Sequence, residues 1–271
     1  MIKFVFSSWV EGFTHPAGTT ILTVPMDFIY GSHSVLECLK AGNRSVERIL
    51  VADGAAGRSI QEILQLARQR GIPFKYEPRA ALDRQSAGAV HQGVIALCAA
   101  RAYSDLEELL ENAGQEGLLV VLDSIEDPRN LGAILRSCAA FGVHGVILPK
   151  DRAAGLSPVA AKTAEGALEY LKVARVTNLV RALEQLKEGG FWVVGIESGQ
   201  EKSCAEVDLT RPIALVFGSE GGGIRRLLRE NCDLLASIPA RGAIHSLNVS
   251  VAAGIALYEV ARQRQQKTPA I

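Results

Sequence analysis

The residue types best suited to chemistry fall in three separated blocks of the second half of the chain. They are DPRNLGAILRSCAAFGV (Asp127 to Val143), LVFGSEGGG (Leu215 to Gly223) and SIPARGAIHSLNVSVAAG (Ser237 to Gly254). In the first, Asp127-Pro128 is an N-cap and first-turn pair. Asn130 follows in the first turn, where backbone N–H groups lack helical partners. Leu131, Ile134, Leu135 and Cys138 form the apolar stripe, and Arg136 stands off it, on one face with Arg129. Two arginines so placed make a donor surface for phosphate or ribose oxygens; for this helix taken alone, a solvated face reads the same way. The second block is G-x-x-G-G-G around Ser219 and Glu220, neither a dinucleotide fingerprint nor a lysine-bearing phosphate loop. Glycines after Gly218 let a ligand approach bare backbone. A tight strand-to-helix turn accounts for them equally well when the block stands alone. The third block runs from Ile238-Pro239 through a loop to Ser246-Leu247-Asn248 at the start of a long helix, where Ser246 and Asn248 suit either capping or a site. His245 beside Ser246 does not make a hydrolase: there is no G-x-S-x-G elbow, and adjacent residues rarely aim at each other as nucleophile and base.

Each block needs a strand before it and a helix after it. Buried-type runs recur at Leu118–Asp123, Gly145–Pro149, Phe191–Ile196, Ile213–Phe217 and Leu234–Pro239. Helical patterns separate most of them, including Asn178–Glu188 and Ser246–Gln265. Continuous apolar strands alternating with helices predict a largely parallel sheet covered on both faces. Ahead of this lies a smaller α/β pattern. Ser32 or Ser34 is the candidate cap of a helix through Leu39, followed by a strand at Val46–Ala52 and a helix at Ser59–Arg70. Strands at Ile72–Tyr76 and Gly93–Ala100 complete it. The chain therefore divides into an N-terminal extension (1–25, an added strand or a tail), a small α/β unit (26–100), a linker with a first helix (101–116) and the larger α/β unit (117–271).

A length of 271 residues suits two domains, and 48% hydrophobic residues supply ample core. Lys+Arg and Asp+Glu are both 29, so the protein is not coated in basic charge. Nine basic against five acidic residues between Lys40 and Arg84 leave either a solvated helical surface or a modest phosphate-facing patch. Five scattered cysteines without C-x-x-C read as reduced core thiols, and five histidines show no metal-ligand spacing. No apolar stretch reaches membrane-span length and no secretory signal is evident, so a cytoplasmic protein without membrane or metal is expected.

Taken in order, the three blocks resemble the SpoU family of RNA ribose 2′-O-methyltransferases, in the SPOUT superfamily, over about Ile29 to Arg262. IYGSHSVLECLKAG, ILVADG and HQGVIALC in the first unit are similar to the RNA-binding domain of bacterial large-subunit rRNA guanosine methyltransferases. The resemblance implies a trefoil knot in the parallel-sheet domain, bound S-adenosylmethionine and a homodimer with the site near its interface. The implied activity is 2′-O-methylation of a 23S rRNA guanosine in the peptidyltransferase region. A tRNA or antibiotic-resistance rRNA methyltransferase and a non-catalytic RNA-binding protein are the competing readings. It also implies cofactor contacts from the backbone of Gly218, Ile238 and Leu247, and active-site roles for Asn130, Arg136, Glu220, Ser246 and Asn248. A guanidinium is almost permanently charged, so Arg136 suits charge stabilisation and positioning better than proton removal. Glu220 is expected to anchor either its loop or Arg136.

Overall fold

A computed structural model describes residues 26–242 and 246–267. Residues 1–25, read above as an extension, and His245 lie outside the described residues. The first unit runs β1 (Met26–Tyr30), α1 (Ser32–Ala41), β2 (Val46–Ala52), α2 (Arg58–Gln69), β3 (Phe74–Glu77), α3 (Arg79–Gln85) and β4 (Val94–Ala99). Its sheet has the order β1-β4-β2-β3, with β2 and β3 parallel and the other pairs antiparallel. One face packs Ile49, Val51 and Ala96 against Val35 and Leu39 of α1 and Ile60 and Ile63 of α2. The other packs Leu50 and Ile95 under Leu82 of α3.

The second unit continues with α4 (Leu106–Ala113), β5 (Leu118–Leu122), α5 (Pro128–Ala140), β6 (Gly145–Pro149), α6 (Pro158–Thr163) and β7 (Lys172–Val176). Then follow α7 (Leu179–Glu188), β8 (Trp192–Ile196), β9 (Ile213–Phe217), α8 (Arg226–Glu230), β10 (Leu234–Ala236) and α9 (Val249–Lys267). All six strands are parallel, in the order β10-β8-β9-β5-β6-β7. Both faces are buried, which is why the strands read as continuous apolar runs. Leu131, Leu135, Ala253 and Leu257 of α5 and α9 cover one face; Leu109, Leu183 and Leu228 of α4, α7 and α8 cover the other. The strand order reverses between β5 and β9, and ligands of open α/β sheets bind outside the carboxyl ends at such a point.

Local expectations shift where backbone groups find other partners. Gly31, with φ 97°, precedes α1 without a side-chain cap, so neither Ser32 nor Ser34 serves as one. The Ile72 N–H bonds the Ala67 carbonyl and closes α2, and β3 starts only at Phe74. β10 stops at Ala236 because Ser237 turns away to bond the carbonyls of Gln200 and Lys202. The sequence reading passed over β1, α3, α6, β7 and α8; among these β7 is a short edge strand carrying two basic residues, and α6 is a helix of little more than one turn. All five cysteines are free, and four are buried. Burial pushes the Cys138 thiol up and the Cys232 thiol up to about 12, as expected of unreactive core thiols. No described helix is long and apolar enough to cross a membrane.

Candidate active site

The three blocks converge at the carboxyl ends of β5 and β9. Asp127 caps α5 by accepting from the Arg129 N–H at 2.8 Å, which fixes the first turn and with it Asn130. Asn130 Nδ2 donates to Glu220 Oε1 at 2.8 Å, and Asn248 Nδ2 donates to Asn130 Oδ1 at 3.1 Å. Asn248 Nδ2 also donates to Glu220 Oε1, which closes a ring of three side chains. Asn248 Oδ1 meanwhile accepts from the Ser250 N–H at 2.9 Å and its hydroxyl at 2.6 Å. That bond makes Asn248 the N-cap of α9, so the helix begins at Val249 rather than at Ser246. Ser246 and Leu247 lie exposed just ahead of it.

The glycine-rich loop owes its shape to a pinch. Ser219 and Gly223 exchange backbone hydrogen bonds at 3.1 and 2.9 Å. A Cβ on Gly218 would stand 2.0 Å from the Gly223 carbonyl carbon. At Gly221 a side chain would meet open space, so the tip offers bare backbone, with Glu220 beside it. Two carboxylates brace this loop from below. Asp123, fully buried at the end of β5, accepts from Arg225 N at 2.9 Å, Arg225 Nε at 2.7 Å and the Ser124 hydroxyl at 3.1 Å. Glu197, just beyond β8, accepts from the Ile224 N–H at 3.4 Å and pairs with Arg229 at 3.3 Å. Neither carboxylate was singled out as functional from the sequence. The signal for Asp123 was present, since a charged residue ends an otherwise wholly apolar strand at the site's edge.

Arg136 lies elsewhere on α5. Its Nη2 is 3.0 Å from Glu165 Oε2, and both side chains are exposed. Glu165 reaches it because α6 packs closely on α5 at Gly132, where a Cβ would stand 2.5 Å from the Ala160 carbonyl oxygen. Glu220 thus joins the two asparagines, and Arg136 joins Glu165. Gly218 follows β9, buried, and Ile238 follows β10, half-buried, at the same end of the sheet. A cleft of about 290 Å³ opens there, lined by Ser124, Ile125, Glu126, Asp127, Asn130, Ser219, Glu220 and Val249.

The SpoU rRNA Methylase family model matches residues 117–258, which carry all three blocks. The chain belongs to this family. A second model, for RNA 2′-O ribose methyltransferase substrate binding, matches residues 28–104. The 23S rRNA (guanosine-2′-O-)-methyltransferase RlmB of Coxiella burnetii is 44% identical, over 89% of this chain and 97% of its own length. YacO of Bacillus subtilis, described more generally as a TrmH family tRNA/rRNA methyltransferase, is 43% identical over 88% of this chain and 96% of its own. The SpoU methyltransferase AviRb from Streptomyces viridochromogenes, solved with S-adenosylmethionine bound, superposes with a TM-score of 0.75. It is 25% identical and covers 89% of this chain and 91% of its own. The chain is therefore an S-adenosylmethionine-dependent RNA methyltransferase. The site suits that cofactor: a mixed apolar and polar cleft is bordered by a loop with no room for side chains at its pinch and open backbone at its tip.

Proposed function

We propose that the protein methylates the ribose 2′-hydroxyl of a guanosine in 23S rRNA, in the peptidyltransferase region. The observation that carries the target is the length of the likeness to RlmB, which spans both units, including the substrate-binding match over 28–104. In this reading residues 26–100 bind the RNA and 117–271 hold the chemistry, in a cytoplasmic enzyme. A trefoil knot around the Gly218 and Ser246 loops belongs to the same proposal.

Backbone groups at Gly218, Ile238 and Leu247 hold the cofactor in this scheme. Bound S-adenosylmethionine supplies an electrophilic methyl group for the ribose oxygen. As the O–CH3 bond would form, the S–CH3 bond would break to leave the neutral thioether, and the hydroxyl proton would pass to solvent water. Arg136 meanwhile offers a fixed positive charge to the target phosphate and the oxygen without itself taking the proton. The ring of Asn130, Glu220 and Asn248 keeps three loops in one arrangement, and Ser246 orients the hydroxyl from the exposed end of its loop. Incubation with labelled S-adenosylmethionine and purified 23S rRNA or tRNA, followed by mapping of the modified nucleotide, tests this. Label is expected on one guanosine of 23S rRNA. Label on tRNA alone would replace the target, and neither transfer nor cofactor binding would end the enzyme reading.

The proposal includes a homodimer. Ala253, Ala256 and Leu257 of α9 are buried, whereas Val251, Ile255 and Tyr258 form an exposed apolar stripe on another side of the helix. Tyr258 stands edge-on to Phe141 beside a cleft of about 370 Å³. A stripe of large apolar groups running along α9, away from the Asn248 end, is what an interface between copies would cover. Ile255→Asp is expected to halve the mass measured by light scattering; an unchanged mass would place any interface elsewhere.

A further inference from the structure

We infer that residues 165–169 couple the substrate-binding unit to the catalytic arginine, with Glu165 positioning Arg136 and Glu169 serving as the point at which the RNA-binding unit grips the segment. The inference rests on the role proposed above for Arg136.

The Glu165 end faces the site. Its carboxylate is 3.0 Å from Arg136 Nη2, and more than half of the arginine side chain is exposed. An ion pair so exposed does little to fix its own geometry. Glu165 also has φ 47°, a left-handed conformation that a side chain adopts only when its surroundings impose it. Something other than the pair must hold the turn.

The structure supplies it at the other end. Glu169 is 4% exposed, with Oε1 3.4 Å from both Arg44 Nη1 and Arg101 Nη1. Arg44 follows α1 in the substrate-binding unit and is itself tied to the Ala99 carbonyl through Nε at 2.9 Å. Arg101 lies on the segment leaving β4. Asn43 Nδ2 donates to the Glu169 carbonyl at 2.9 Å, and the Tyr170 hydroxyl donates to Glu37 Oε2 of α1 at 2.8 Å. Between the two ends, Gly166 has φ 88°, and a Cβ there would stand 2.4 Å from Glu37 Cβ, so α1 seats directly on the turn. One turn earlier, Lys162 Nζ donates to Gln92 Oε1 at 3.3 Å, the same oxygen that accepts from the Ser32 N–H at 3.0 Å.

A buried carboxylate between two guanidiniums has one favourable placement, and losing it takes from Arg101 its carboxylate partner and leaves Arg44 with Asp27 at 3.3 Å. The turn that presents Glu165 to Arg136 is therefore set by contacts from the RNA-binding unit and not from the catalytic sheet alone. Correct seating of that unit fixes the guanidinium where the target phosphate must meet it.

The test is a double-mutant cycle on the full chain, read as kcat for methyl transfer to rRNA, with S-adenosylmethionine affinity and thermal unfolding measured in parallel. Glu165→Gln is expected to lower kcat about tenfold, as is Glu169→Gln, with cofactor affinity unchanged. The double variant is expected to be no slower than either single, because Glu169 acts through Glu165. Losses that multiply would mean Glu169 only stabilises the fold and would overturn the coupling. Glu165 is exposed, so Glu165→Gln decides the matter even if Glu169→Gln does not fold: an unchanged kcat there overturns the inference. An inactive parent enzyme would instead condemn the proposed function on which it rests.

Discussion

Replacing Arg136 with alanine is expected to lower the rate of methyl transfer about a hundred- to a thousandfold, the range seen when a charge-stabilising donor is removed from an active site. Cofactor affinity should stay nearly unchanged. Arg136 lies outside the residues lining the cleft beside the Gly218 loop and pairs with Glu165 on a different part of α5. Nothing in the folded core depends on it, since its side chain is mostly exposed, so the loss should come without a matching fall in thermal stability. The measurement is single-turnover transfer at saturating rRNA beside calorimetric binding of S-adenosylmethionine. Undiminished turnover would remove Arg136 from the mechanism. A large fall in cofactor affinity would move it from the ribose side of the site to the cofactor side.

Gly218→Ala is expected to do the reverse, weakening S-adenosylmethionine binding by about 10- to 100-fold, in line with the usual 1–3 kcal/mol cost of overpacking. The added methyl would stand 2.0 Å from the Gly223 carbonyl carbon and 2.2 Å from the Ile224 nitrogen, and backbone on both sides leaves no flexible side chain to move aside. The reciprocal bonds between Ser219 and Gly223 must then part, and the loop that carries Glu220 opens. Titration calorimetry reads the affinity directly. Binding equal to that of the parent would show that the pinch is not what shapes the cofactor loop.

The fold was legible wherever burial leaves a periodic or continuous apolar mark. The runs at Leu118, Gly145, Ile213 and Phe191 became central strands because both faces of their sheet are covered. Lys172–Val176 escaped because its buried stretch is only Val173 and Ala174, with exposed Arg175 after them and Lys172 before. At the site, the blocks announced Asn130, Glu220 and Asn248 by type, yet no local rule says that residues 90 and 118 positions apart will share hydrogen bonds. The Asn248 cap was foreseen only as one alternative. Glu165 left no trace, since its meaning lies in a left-handed turn that begins at the end of a helix hardly longer than one turn. Asp123 was visible as an oddity without a partner, and its partner Arg225 lies 102 residues away.

The ring of Asn130, Glu220 and Asn248 also orders events during synthesis. Its last member caps the C-terminal helix, so a ribosome must release nearly the whole chain before the three loops can be joined. Domains emerge and fold from the N-terminus onward. The RNA-binding unit therefore forms well before any competent methyl-transfer site. A chain cut ahead of Asn248 would carry all six strand sequences but lack both the bonds of Asn248 to Asn130 and Glu220 and the helix that covers one face of the sheet, so the closed ring is acquired last.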